Sequence, residues 1–320
     1  MPIGLATVRI GGRDTPVLVN DGRFVPLSHW RETRSLLELI GSWDETLRLV
    51  GKWAADADAF ASAPSLEDAD ILLPYRPGQV FCTGANYKKH VVGLILGDSS
   101  MRRDEIEALP EEERRAHVEK MMDERVKALP FCFIKLSSCA VGARDDVILP
   151  VNVEKPDWEI ELGVVIGKRA HRVSAADAMD YVAGYAIVND VTAREHIFRR
   201  DGSAIGADWL SGKCFPTFLP FGPMIVPRGE IADPYDLNLR LSVNGKLYQN
   251  ETTADMMFTI ERQIEFLSGR VVLQPGDVIC TGSPYGNGSA FGVYLQPGDE
   301  MVAEIDGLGV QRNRCVAEAT

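Results

Sequence analysis

The chain has 320 residues, enough for one large domain or two unequal ones at about 100–200 residues each. Hydrophobic residues are 45% and charged residues 25%, the usage of a packed globular protein rather than a disordered or fibrous one. The net charge of -12 argues against a nucleic-acid partner or an anionic membrane surface, both of which call for a basic face. No apolar run approaches the roughly 20 residues of a membrane helix. The first twenty residues lack a basic start followed by an apolar core, so a cytoplasmic location is expected.

In chain order, residues 1–75 read as a small α+β unit. VRIGG and PVLVNDGRFVPL are strand patterns with Asn20-Asp21-Gly22 as a hairpin turn, and helical patterns follow at about 30–41 and 43–58. The Pro-, Ala- and acid-rich stretch ASAPSLEDADILLPYRPG reads as a linker to a second unit, 76–320. From Gly78 onward the texture is short β runs broken by Gly and Pro: QVFCTGANY, PFCFIKLSS, DVILPV, WEIELGVVIG, MDYVAGYAIVNDV, TFLPFGPMIV, LNLRLSVNG, GDVICTGSP and EMVAEIDGLG. This predicts a closed or double-sheet β-rich body with few helices.

One segment, 97–130, interrupts that pattern with a strongly charged helical stretch. Pro110 suits the first turn of a helix running to about Ala128, and Glu111, Glu112 and Glu113 suit its positive end. Two roles are open for it, a solvated surface helix or a lid over a site. The six cysteines form no C-x-x-C pair and mostly sit in apolar strand-like runs, which predicts buried thiols instead of a zinc site or disulfides.

Chemistry concentrates in KPDWEIELGVVIG, residues 155–167. On a strand, Glu159 and Glu161 share one face, with carboxylates about 7 Å apart that repel unless a cation lies between them. Mg2+ or Mn2+, less so Ca2+, suits such oxygen ligands; an edge strand with two ordinary surface glutamates is the alternative. Asp190 ends the apolar run YAIVND, where an acid is uncommon unless bonded or ligating. Three carboxylates around one divalent ion leave a net negative charge, so an anionic substrate needs another cation. Lys213, alone among apolar and small residues in SGKCFP, is the candidate.

From about Gly78 to the C-terminus the chain resembles the fumarylacetoacetate hydrolase superfamily. The resemblance rests on TGANYKKH, FIKLSS, DWEIELGVVIGK, NDVTARE, GKCFPTFLPFGP, QPGDVICTGSPYGNG and LQPGDEMVAEIDGLG, in that order. It implies an α+β, β-rich fold: a mixed β-sandwich or β-roll catalytic domain, usually a homodimer, with a small N-terminal domain in some members. It implies a divalent metal on Glu159, Glu161 and Asp190, and Lys213 as a cation near the substrate. Tyr87, Arg194, Thr281 and Gly282 are implied to contact a small anionic 2-oxo acid, and His90 to activate water with an acid three residues later. Here that position is Gly93, so another acid, such as Glu105 or Glu107 of the insertion, would have to serve. Two milder departures are Glu195 and Ser283.

His29, His117 and His171 have no ligand spacing and read as surface residues; His196 lies close to Asp190 in sequence, and Lys135 is either a sheet-edge or a pocket-wall residue. The Gly-rich GSPYGNGSAFG lacks the Lys-Ser/Thr ending of a phosphate loop. A divalent ion on three carboxylates suits the stabilisation of a carbanion beside a 2-oxo group as an enolate. The expected activity is hydrolysis of a C–C bond in an acylpyruvate or fumarylacetoacetate-like acid. Decarboxylation of an oxaloacetate-like acid and isomerisation of a 2-hydroxy-dienoate use the same site, and a non-catalytic binding protein is the remote alternative.

Overall fold

The computed structural model describes residues 2–97, 104–198 and 206–319. At the N-terminus, β1 (Gly4–Ile10), β2 (Arg13–Asn20) and β3 (Arg23–Pro26) form consecutive hairpins. Asp21 and Gly22 both take positive φ, 45° and 75°, as a two-residue turn between right-twisted strands requires. Three helices follow: α1 (Leu36–Ile40), α2 (Trp43–Ala54) and α3 (Ala57–Ala61). Trp43, Thr46, Val50 and Trp53 form the buried stripe of α2, at helical spacing.

The body begins with β4 (Val80–Gly84) and the helices α4 (Lys88–Gly97), α5 (Asp104–Glu107) and α6 (Glu111–Arg125). Next come β5 (Phe131–Lys135), β6 (Ala140–Val141), β7 (Val147–Leu149), β8 (Pro156–Asp157), β9 (Ile160–Ile166), β10 (Val182–Asn189) and β11 (Thr192–Ala193). Short helices α7 (Arg194–Ile197) and α8 (Trp209–Lys213) precede β12 (Leu219–Pro227), β13 (Asn238–Val243) and β14 (Lys246–Thr252). Last are α9 (Ile260–Ser268), β15 (Val278–Cys280), β16 (Glu300–Ile305) and β17 (Gly309–Ala317). The sequence reading did not anticipate α9, whose start is capped by Thr259 accepting from Arg262 N–H.

Among the described residues the main sheet runs β3-β2-β1-β12-β10-β9-β15-β4-β5, with β6 beside β12. A second sheet runs β14-β13-β16-β17-β7. Parallel pairs (β4–β15, β6–β12, β7–β17) sit among antiparallel ones, so the fold is a mixed, β-rich α+β sandwich. One core lies between the sheets, where Ile160, Leu162, Val164 and Ile187 meet Leu239, Leu241, Met301 and Ala303. A second lies on the opposite face, where Val165, Ala186, Val188 and Phe221 meet Leu36, Leu39, Trp43 and Val50. The central strands are therefore covered on both sides, which is why they read as continuous apolar runs.

The strands of residues 1–75 do not form a separate sheet. β1 joins β12 at Leu5↔Ile225, so the N-terminal unit extends the main sheet and its helices cover one face. The insertion differs in detail from the expected 110–128 helix: Pro110 stands at the N-cap and α6 ends at Arg125. Residues 98–103 of that insertion lie outside the described residues. α6 buries Val118 and Met122 against Val91, Val92 and Ile106, and Lys88 Nζ lies 2.5 Å from Asp123. Arg262 donates to the carbonyls of Val126 and Ala128, fastening the end of the insertion to α9. No helix of the described residues is long and apolar enough to cross a membrane.

Candidate metal centre

Strands β9 and β10 pair antiparallel with Glu161 opposite Val188 and Ile160 opposite Asn189. That register carries Asp190 past the end of β10 to Glu159, whose carbonyl accepts from the Asp190 N–H at 2.9 Å. Glu159, Glu161 and Asp190 are buried, and each offers a carboxylate oxygen within 4.8 Å of the others. Strand alternation and the end of a buried run thus converge on one point.

Buried carboxylates need cations, and three are present among the described residues. Lys213 ends α8; its Nζ lies 2.8 Å from Glu159 Oε2 and also bonds Asp190 Oδ2. Gly212 allows that approach, since a Cβ there would fall 2.2 Å from Ile197 Cδ1. Lys135 ends β5 and donates to Asp190 Oδ1 at 2.5 Å and to the carbonyls of Val191 and Phe218 at 2.9 and 2.6 Å. Arg194, at the start of α7, spans Glu159 Oε1 at 2.6 Å and Asp157 Oδ2 at 2.7 Å. Asp157 in turn accepts from Gly288 and Ser289 N–H at 2.6 and 3.1 Å, tying Arg194 to that turn.

The three ligands differ electrostatically. Burial opposes the charge on Glu159, but Arg194 and Lys213 outweigh it and hold the carboxyl down to about 2. Glu161 has a different neighbourhood: its Oε2 accepts only from Gly282 N–H at 2.7 Å among the hydrogen bonds described. Burial first, and Asp190 next, push its pKa well above the usual carboxylate range. A hard divalent cation would relieve that side of the cluster, so the donor set fits Mg2+ or Mn2+.

His90 lies on the first turn of α4, 8% exposed. Burial pulls its pKa down to about 4, with Glu159 opposing and Arg194 and Lys213 assisting. Glu105 and Glu107 are both exposed, because α5 turns Ile106 inward. At Gly93, a Cβ would meet Tyr285 Cε2 at 2.7 Å and Cδ2 at 2.9 Å. An aromatic ring fills the direction a side chain at 93 would take.

Tyr87 is fully buried, and burial followed by Glu161 raises its pKa. The hydroxyl and N–H of Thr281 both donate to Leu162 O, at 2.9 and 3.1 Å. Gly282 takes a φ of 105°, and a Cβ there would lie 2.7 Å from Asn86 Cβ, so the turn that presents its N–H to Glu161 needs glycine. Glu195 accepts from Lys155 N–H at 3.0 Å, and Ser283 from Gln249 Nε2 at 2.9 Å. The His196 ring faces Asn152 O at 3.1 Å on the exposed side, and His29 faces Asp56. Asp157 and Tyr285 were not placed in the site by the sequence reading, which left Lys135 open between a sheet edge and a pocket wall. Lys135 had a signal of the same kind as Asp190, a charge closing the apolar run FCFI.

Comparison with known proteins bears on the family of the chain. The family model "Fumarylacetoacetate (FAA) hydrolase C-terminal" matches residues 79–316. The human protein "Oxaloacetate tautomerase FAHD2A, mitochondrial" is 38% identical over 304 residues, 93% of this chain and 85% of that one. Among solved structures, the fumarylacetoacetate hydrolase of Exiguobacterium antarcticum superposes with a TM-score of 0.78 at 29% identity, over 99% of this chain and 100% of the other. The 2-hydroxyhepta-2,4-diene-1,7-dioate isomerase of Mycobacterium marinum superposes with a TM-score of 0.67 at 26% identity, again over 99% and 100%.

Proposed function

The chain belongs to the fumarylacetoacetate hydrolase family, and from that premise we propose that it is a divalent-metal-dependent enzyme moving a proton between the keto and enol forms of a small 2-oxo acid of the oxaloacetate kind. The observation that carries this reading is the surroundings of His90. The imidazole is buried and held neutral, yet position 93 offers no carboxylate to orient it for activating water, and the Tyr285 ring occupies that direction. With no carboxylate at position 93 to orient it toward a water, His90 is read here as exchanging a proton with the substrate directly.

Glu159, Glu161 and Asp190 would hold Mg2+ or Mn2+, which supplies positive charge for an anionic 2-oxo acid. Lys213 and Arg194 add cations at the same point, so an acidic substrate can approach a chain of net charge -12. In this reading His90 takes the proton from carbon 3, Lys213 faces the charge that develops on the oxygen at carbon 2, and that oxygen takes up a proton to complete the enol, the reverse transfers restoring the keto form. The name of the human relative supports the choice of substrate.

Hydrolysis of an acylpyruvate is the second reading, favoured by likeness to the Exiguobacterium enzyme, which is 29% identical over nearly the whole chain. We also propose that two copies pair, since β5 lies at the edge of the main sheet and exposes Phe131 and Ile134. The deciding experiment follows oxaloacetate enol–keto interconversion and acetylpyruvate cleavage side by side with added Mn2+. Faster interconversion than cleavage supports proton transfer; the reverse order supports hydrolysis.

A further inference from the structure

Tyr285 sits in a loop that the rest of the protein holds tightly. The carbonyl before it, Pro284 O, accepts from Gln249 Nε2 at 2.9 Å. The carbonyl after it, Gly286 O, accepts from Trp158 Nε1 at 3.1 Å. Asn287 Nδ2 closes the loop onto Trp158 O at 3.0 Å. Gly286 is itself forced, with a φ of 111° and only 2.3 Å between a Cβ there and Tyr248 O. The ring completes an aromatic row: Trp158 and Tyr248 are 4.8 Å apart, Tyr248 and Phe291 5.5 Å, and Phe291 and Tyr285 6.3 Å. The backbone that carries the ring is thus pinned on both sides.

That ring lies on α4 at Gly93. Residues three apart on a helix are neighbours on one face, so position 93 is where a side chain can reach His90. The clearances there leave no room for a Cβ while Tyr285 stays in place. A side chain at 93 and the Tyr285 ring in this position therefore exclude each other.

We infer that Gly93 and Tyr285 together are specificity-determining: the ring takes the space beside His90 that an orienting carboxylate would need, and the pair so confines the site to proton transfer. The inference rests on the proton-transfer reading above. The device is steric and local, and it leaves the carboxylate cluster and its cations unchanged.

The test uses the full-length protein with Mn2+ and two substrates, oxaloacetate for enol–keto interconversion and acetylpyruvate for C–C hydrolysis. Gly93→Glu alone should be poorly folded or inactive, and Tyr285→Ala alone opens space without supplying an acid and should gain no hydrolysis. The double variant Gly93→Glu/Tyr285→Ala should hydrolyse acetylpyruvate faster than the parent by roughly ten- to a hundredfold. That is part of the about 10²–10⁴-fold a well-placed general base supplies. Gly93→Asp/Tyr285→Ala, with the shorter acid, guards against failure of the first pair to fold, and retained oxaloacetate interconversion certifies folding of either. Two results overturn the inference: double variants that interconvert oxaloacetate but gain no hydrolysis, or a Gly93→Glu single variant as hydrolytic as the double. A parent protein that cleaves acetylpyruvate and leaves oxaloacetate untouched would instead remove the proton-transfer reading itself.

Discussion

Lys213 Nζ lies 2.8 Å from Glu159 Oε2, and its ammonium also bonds Asp190, so one lysine ties together the two carboxylates that β9 and β10 bring to the same point. Burial alone would strip the proton from Lys213, but Asp190 and Glu159 raise its pKa instead. The cation and the carboxylates thus keep one another charged in the interior.

Lys135 makes the complementary contact on the far oxygen of Asp190 and is as deeply buried. Lys135→Met should remove a partner from a buried ion pair, which typically costs about 3–5 kcal/mol. Denaturant unfolding of the metal-free protein should show that loss, and Mn2+ should recover part of it by taking over charge from Asp190. A metal-free Lys135→Met protein as stable as the parent would mean that Asp190 does not depend on this lysine.

Glu161 gives a pH signature with a definite sign. Its folded pKa lies above the ordinary 4.5, so the folded state holds the proton more tightly than the unfolded one. The stability this gives is full below about pH 4.5 and is lost as pH rises toward the folded value. Without metal, Glu161→Gln should become progressively more stable than the parent as pH is raised from 4.5 to 8. With Mn2+ the order should invert, because the parent gains a ligand charge that the amide lacks. Melting temperatures across pH, with and without Mn2+, test both halves.

For His90, the ordinary 6.5 falls to about 4 on folding, so the unfolded chain binds the extra proton between those values. His90 therefore contributes a loss of stability as pH falls through that window. The same shift keeps the imidazole neutral at pH 5–8. His90→Ala should lower oxaloacetate interconversion by about 10²–10⁴-fold and leave Mn2+ affinity unchanged. The parent rate should show no protonation limb near 6.5. A limb there that vanishes in His90→Ala would place the histidine in a wetter setting than the structure gives it.

Much of the site was legible because its signals are local. Glu159 and Glu161 alternate on one strand, and Asp190 closes an apolar run. The alternation could not distinguish a metal pair from surface glutamates, since only the second layer on each side of β9 makes that position an interior one. Lys135 was ambiguous for the opposite reason: β5 is a partly exposed edge strand, and its lysine becomes a site residue only through Asp190, 55 residues away in sequence. The change of texture near residue 75 suggested a separate unit, but the addition of β1 to β12 depends on a pairing more than two hundred residues away. Gly93 was recognised as a departure, yet nothing near it in sequence pointed to Tyr285 as the group in its way.

The central claim is that the carboxylate cluster and His90 together move a proton on a 2-oxo acid. The most direct measurement is enol–keto interconversion of oxaloacetate by the parent, Glu161→Gln and His90→Ala, each chelated and then resupplied with Mn2+. The account predicts that chelation abolishes the parent rate and Mn2+ restores it. Glu161→Gln should stay inactive in both states, and His90→Ala should bind the metal yet remain slow. Interconversion that survives chelation, or that proceeds at the parental rate in Glu161→Gln, would contradict it.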